Sequence, residues 1–236
     1  MKTIAIYSGR FHPPHLGHKS VYTGLVNKLG KENVYVVSSG KQAPLSSPFE
    51  FEQKQFLWRQ LGVAKSKVIQ VRNPYQPKEV TENFDPNNTA IVFALSEKDS
   101  GRFTFKPKKD GSPSYMQAYQ EPLRPLSEVG YVLTVPTINF SVQQKEIKSA
   151  SEIRNMYINA NTEERIQILQ DLYGKVTNEI KHIFDKQLSL TESLRKIIDE
   201  RNNLLESKAY TNINAIISKA LILERLINEE EFRWQK

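Results

Sequence analysis

Five short runs of β-branched and aromatic residues alternate with segments of helical period over the first 135 positions, and this alternation most narrows what the chain can become. Residues 3–8, 33–38, 67–71, 89–95 and 131–135 read as strands. Between the first two, Val21, Leu25, Val26 and Leu29 recur at helical spacing; between the second and third, Phe56, Leu57 and Leu61 do the same within residues 51–61. Strand, helix, strand in repetition is the pattern of βαβ units and a parallel sheet. Residues 89–95 carry no charge, as expected of a central strand buried on both faces.

The pattern breaks over residues 100–128, where Gly101, Pro107, Gly111, Pro113, Pro122 and Pro125 exclude long regular elements. This stretch is too long for an ordinary connector, so it reads either as a substrate loop or as a surface insertion. Beyond Ser151 the chain reads as wholly helical. Ser189 and Glu192 have the spacing of a capping box, ahead of a stripe formed by Leu190, Leu194, Ile197, Ile198, Leu204 and Leu205. A second amphipathic helix is expected from about Asn212, with Ile213, Ile216, Ile217, Ala220, Leu223, Leu226 and Ile227. These apolar stripes must be buried against the preceding domain, against a partner, or in a homo-oligomer.

Composition removes several function classes. With 39% hydrophobic and 25% charged residues among 236, the chain is of ordinary globular type. It has no Cys, which excludes disulfides, thiolate metal sites and a Cys nucleophile. The apolar runs fall far short of the ~20 residues that span a bilayer, and the first residues enter a strand without a leader pattern, so a soluble cytoplasmic protein with no membrane partner is expected. Residues 1–140 hold 18 Lys and Arg against 11 Asp and Glu, a surplus of +7, whereas residues 141–236 hold 15 of each. Without a dense basic run, an RNA-binding aromatic signature or a helix-turn-helix, no nucleic-acid partner is expected, and the surplus reads as a solvated basic surface or as one that attracts phosphorylated small molecules.

The chemistry is concentrated directly after the first strand, in Gly9-Arg10-Phe11-His12-Pro13-Pro14-His15-Leu16-Gly17-His18. Gly9 allows close approach of backbone to a ligand, Pro13 and Pro14 stiffen the loop, and His15 and His18 are spaced i, i+3 at the start of a helix. Both imidazoles can then face one point above the carboxyl end of the strand, where open parallel sheets bind ligands and a helix start attracts phosphate. Three histidines in seven residues, with no carboxylate or thiolate nearby, do not make a metal site.

This segment matches G-x-F-x-P-x-H-x-G-H, and the chain resembles the HxGH-motif nucleotidylyltransferase superfamily, most nearly its archaeal-type nicotinamide-nucleotide adenylyltransferases. A second segment, Lys148-Ser149-Ala150-Ser151-Glu152-Ile153-Arg154, is similar to the family's ISSTxIR motif at Ser149, Ile153 and Arg154 and conservatively at Ser151; Lys148 and Ala150 depart from it. The likeness continues weakly through Ser39-Gly40-Lys41 and Ser47-Pro48-Phe49, but Gln53-Lys54 stands where the family has Glu-Arg.

The resemblance implies a Rossmann-like open parallel sheet with flanking helices over residues 1–187, followed by a C-terminal helical extension over 188–236. It implies transfer of AMP from ATP to nicotinamide mononucleotide or another small phosphorylated acceptor, with release of pyrophosphate. His15, His18 and Arg154 are the implied catalytic groups, and Ser8, Gly9, Arg10, Phe11, Gly17, Lys41, Ser149 and Ser151 the implied nucleotide contacts. Mg²⁺ would arrive with the triphosphate, with no metal ligand set expected from the protein. CTP in place of ATP, phosphopantetheine, flavin mononucleotide, sugar phosphates and alcohol phosphates are alternatives within the superfamily. The HLGH tetrapeptide also resembles the HIGH motif of class I aminoacyl-tRNA synthetases. A non-catalytic nucleotide-binding or assembly module that retains the fold is the remaining reading.

Overall fold

The computed structural model describes residues 1–206, apart from positions 97, 98, 100, 102, 104, 108, 110, 137, 139 and 148, together with 220–223 and 225. Its centre is a six-stranded parallel sheet built from β1 (Lys2–Ser8), β2 (Val34–Ser38), β3 (Val68–Gln70), β4 (Thr89–Ser96), β5 (Met116–Ala118) and β6 (Gly130–Val135). The strand order is β3-β2-β1-β4-β6-β5, and every pairing is parallel. All five expected strands are present. The order reverses between β1 and β4, so the loops leaving these two neighbours diverge and open a crevice at their carboxyl ends.

Period-two alternation divides β1 and β4 between two cores. Ala5, Tyr7 and Ala94 face α1 (Leu16–Leu29), α2 (Phe51–Gln60) and the C-terminal helices. Ile4, Ile6, Ile91, Phe93 and Leu95 face the other way, against Val71, Val80 and Val132. The short α3 (Lys78–Thr81) contributes Val80 to that second face. Described residues between β4 and β6 pack there as well: Phe103, Met116 and Leu126 do so, and the Leu126 N–H donates to the Thr89 carbonyl at 2.7 Å. These residues cover that face of the sheet, and the stretch also carries its edge strand β5. A three-residue strand among prolines leaves no periodicity to read.

After β6 comes an antiparallel hairpin of β7 (Phe140–Val142) and β8 (Lys145–Ile147), then α4 (Ala150–Asn159), α5 (Thr162–Tyr173) and α6 (Asn178–Glu206). Ser149 caps α4 by accepting from the Glu152 N–H, and Asn161 with Glu164 forms a capping box for α5.

The expected helix start at Ser189 is not one. Helix α6 runs through residues 187 and 188 without interruption, and Ser189 Oγ donates to the Lys186 carbonyl inside it. The capping spacing arose within a helix, where a serine hydroxyl is satisfied by a carbonyl one turn back. Leu188, Thr191 and Leu194 are buried, so this part of the tail packs back on the domain. Of the second expected helix, residues 220–223 are helical with Leu221 and Ile222 exposed; Ile213, Ile216, Ile217, Leu226 and Ile227 lie outside the described residues. Among the described residues no helix is long and apolar enough to cross a membrane.

Candidate active site

The loop from Gly9 to His15 leaves β1 at the point where the strand order reverses, and other elements fix its backbone at several points. The Gly9 N–H donates to the Val37 carbonyl (3.2 Å), Ser38 Oγ to the Arg10 carbonyl (3.3 Å), Arg154 Nη1 to the His12 carbonyl (2.7 Å) and Tyr173 Oη to the Pro14 carbonyl (2.9 Å). The Phe49 N–H donates to His12 Nδ1 at 3.2 Å. With its carbonyls and one imidazole engaged by β2, α4, α5 and the segment before α2, the loop is set before any ligand binds.

Within it, Phe11 takes a left-handed backbone (φ 52°), which a bulky residue adopts at a cost of roughly 1–3 kcal/mol. Packing offsets this: the Phe11 ring meets Tyr7, His18 and Trp58 edge to face, with centroids 5.3, 5.0 and 5.1 Å away. The ring folds back over Gly9, where an added Cβ would lie 2.5 Å from a ring carbon. Gly9→Ala is therefore expected to cost about 1–3 kcal/mol in a denaturant titration; an unchanged midpoint would mean that the ring swings aside freely.

Helix α1 begins at Leu16, with His15 as its N-cap and no side chain capping the first turn. This brings the His15 and His18 rings together, centroids 3.7 Å apart. Phe140 of the β7–β8 hairpin stacks on the outer face of His15 at 4.3 Å. Gly17 makes room for this stack, since a Cβ there would lie 3.1 Å from both the His15 and Phe140 rings. Burial holds His18 down to about 3, and burial together with His18 holds His15 well below the usual imidazole range. Both rings are neutral at neutral pH, each with one N–H to donate, and the Nδ1 atoms of both are buried without a hydrogen-bond partner.

A cavity of about 500 Å³ lies over this stack. Ten predicted residues line it: Ser8, Gly9, Arg10, Phe11, His15, Gly17, His18, Ser149, Ser151 and Arg154. Arg154 is buried (3% exposed), not at the surface, and its hydrogen bonds go to the His12 and Leu45 carbonyls and to Ser151 Oγ. Burial, then Arg195 and Arg10, bring its guanidinium down to about 10, so it stays charged. Its visible work is to brace the loop, with Nε buried and unpartnered.

Lys41 lies elsewhere. It lines a second cavity of about 980 Å³ with Ser39, Arg72, Tyr75, Lys78 and Glu79, and the two cavities share Gly9, Arg10 and Asp99. The sequence reading missed Asp99, Phe140 and the second cavity. Asp99 follows the apolar strand β4 by three residues, a position at a carboxyl edge that could have marked it; Phe140 gave no local signal. Among the described residues no group of three or more His, Asp or Glu side chains could hold a metal ion alone.

A Rossmann-like sheet with this crevice is the fold seen in adenylyltransferases of solved structure. No protein-family model and no curated protein matches the chain. Among solved structures it is similar to a bifunctional NMN adenylyltransferase/ADP ribose pyrophosphatase from Francisella tularensis, with 17% identity and a TM-score of 0.52, over 89% of this chain and 58% of that one. The same protein complexed with AMP and a manganese ion gives a TM-score of 0.50, with 57% of its length covered. The chain thus spans less than two thirds of that protein. A nicotinic acid mononucleotide adenylyltransferase from Plasmodium falciparum complexed with NaAD aligns over 80% of this chain and 97% of its own, with 16% identity and a TM-score of 0.49. At these identities the likeness is one of fold.

Proposed function

We propose that the protein is a nucleotidylyltransferase that moves AMP from ATP to the phosphate of a small phosphorylated acceptor, nicotinamide mononucleotide first among them. The observation that carries this reading is the pair of neutral imidazoles in close, tilted contact at the uncapped start of α1, in a fixed loop at the switch point of a parallel sheet. Neutral N–H donors and a helix N-terminus suit phosphate oxygens. The triphosphate would lie in the smaller cavity against His15, His18, Ser149 and Ser151. The acceptor would lie in the larger one, where Arg72 and Lys78 offer charge to its phosphate and Tyr75 offers a ring to its base. The shared wall of Gly9 and Arg10 is where the reacting phosphates would meet.

An acceptor phosphate oxygen attacks the α-phosphorus, the bond from that phosphorus to the oxygen bridging the β-phosphate breaks, and pyrophosphate leaves with the electron pair. The residues hold the groups in line and donate to the charge that builds on the departing oxygens. The donor set suits a divalent cation carried by the triphosphate: Asp99 is the carboxylate that faces both cavities, so phosphates and water would supply the other ligands. Bound there, such a cation neutralises phosphate charge.

Pyrophosphate release, measured with Mg²⁺ and ATP or CTP against a panel of phosphorylated acceptors, tests the reading. Turnover is expected with ATP and nicotinamide mononucleotide. Binding of ATP without turnover on any acceptor would replace the acceptor; binding of neither triphosphate would leave the fold as a binding or assembly module.

A further inference from the structure

Lys54 is a lysine with 1% exposure in the middle of α2, and the reaction as described makes no use of it. Its Nζ donates to Ser38 Oγ and to the Ser39 carbonyl, each at 2.8 Å. Ser38 Oγ in turn donates to the Arg10 carbonyl at 3.3 Å, so the ammonium stands directly behind the loop that follows β1. Arg154 grips the same loop through the His12 carbonyl, and Arg10 occupies its exposed side.

Three cations thus surround one loop, and among the described residues none of them is ion-paired with a carboxylate. A buried ammonium without a counter-charge is costly, and an apolar side chain of the same length would pack α2 against β2 better. The charge makes sense where its counter-ion comes and goes.

We propose that Lys54 is a positioning residue of the triphosphate site: it holds the Ser38–Ser39 turn and the Arg10 backbone in place and sets a positive charge behind them whose counter-ion is bound polyphosphate. This rests on the nucleotidyl-transfer reading. Burial brings the amine down to about 8, against the opposing pull of Glu52 on its own helix. The other charged and titratable groups that share this region are Arg10 and His12 of the loop and Arg154 of α4. His12 is neutral, and Arg154, brought down to about 10, stays charged near pH 8. An anion that favours protonated Lys54 therefore loses affinity as pH rises through 8.

The test compares Lys54→Met with the wild type in two ways: thermal melting without ligand, and binding of ATP and of inorganic tripolyphosphate from pH 7.5 to 9. Removing an unpaired buried charge is expected to raise the melting temperature by about 2–10 °C. The same change is expected to weaken both ligands by roughly tenfold or more. Wild-type affinity is expected to fall over that pH range while the variant's stays level. Ser38→Ala, which cuts the link to Arg10 and keeps the ammonium, is expected to weaken ATP a few-fold with little change in melting. A Lys54→Met protein that melts lower or does not fold makes the ammonium structural and overturns the proposal. Equal binding by variant and wild type overturns it while sparing the transfer reading. A wild type that binds neither ligand overturns both.

Discussion

Pyrophosphate release is expected to fall on the order of 10²–10³ when His18 is replaced by Ala, with the loss mainly in kcat. Neutral imidazoles attract a resting triphosphate modestly. Their N–H groups matter most once negative charge has moved onto the leaving oxygens, so binding is touched less than turnover. His15→Ala is expected to behave similarly. The double variant should lose far less than the product of the two single effects, because the rings, with centroids 3.7 Å apart, hold one another in place. Since Phe11 packs edge-on against His18 (5.0 Å), melting temperatures should accompany the kinetics and separate lost chemistry from a loosened loop. A loss below tenfold in a well-folded His18→Ala protein would remove this ring from the reaction.

Acid is expected to unfold the protein well above the range where carboxylates titrate. His12 is held down to about 2 by burial first and then by Lys54, Arg154 and Arg10, His18 is held to about 3 by burial, and His15 lies well below the usual range for the reasons already given. Unfolded, all three rings take up protons near 6.5. Below that pH the unfolded chain binds protons that the folded chain refuses, so stability is level above about 6.5 and falls as pH drops. Each buried ring contributes up to about 1.4 kcal/mol per pH unit, so His12 and His18 alone remove roughly 5 kcal/mol by pH 4.5, and His15 adds to that loss. That is comparable with the whole stability of many domains. Urea midpoints at pH 7, 5.5 and 4.5 measure the slope, and His12→Asn should lower it by about a third. A midpoint unchanged from pH 7 to 4.5 would show that these imidazoles are wetter than the packing indicates.

The sheet was legible in the sequence because its strands are long enough to carry alternation and its crossovers are helices. The loop after β1 was legible because strand, turn and helix signals occur there in immediate succession. Legibility failed where structure depends on remote partners. Phe140 stacks on His15 through a hairpin of two three-residue strands, too short for a period to register. Lys54 follows Gln53 on what reads as an exposed helix face, and lysine is so seldom fully buried that residue type argues against the observed position. For Arg154 the motif located the residue, while its engagement with backbone carbonyls depends on where residues 12 and 45 arrive in three dimensions. The tail was misdivided because a serine three residues before a glutamate is the same string inside a helix as at its start.

The tethers on the loop have a consequence for synthesis. Arg154 reaches back 142 residues to His12, Tyr173 reaches back 159 to Pro14, and Thr191 reaches back 147 to Pro44. A ribosome making this chain releases the histidine loop early and the residues that hold it late. The β1–β4 sheet can begin to pair while the loop beside it is still unheld, since contacts of such long range form last. Until α5 has emerged and Tyr173 has met Pro14, the nascent chain has the histidines without the arrangement, and a ribosome stalled at residue 150 presents a sheet with no working crevice.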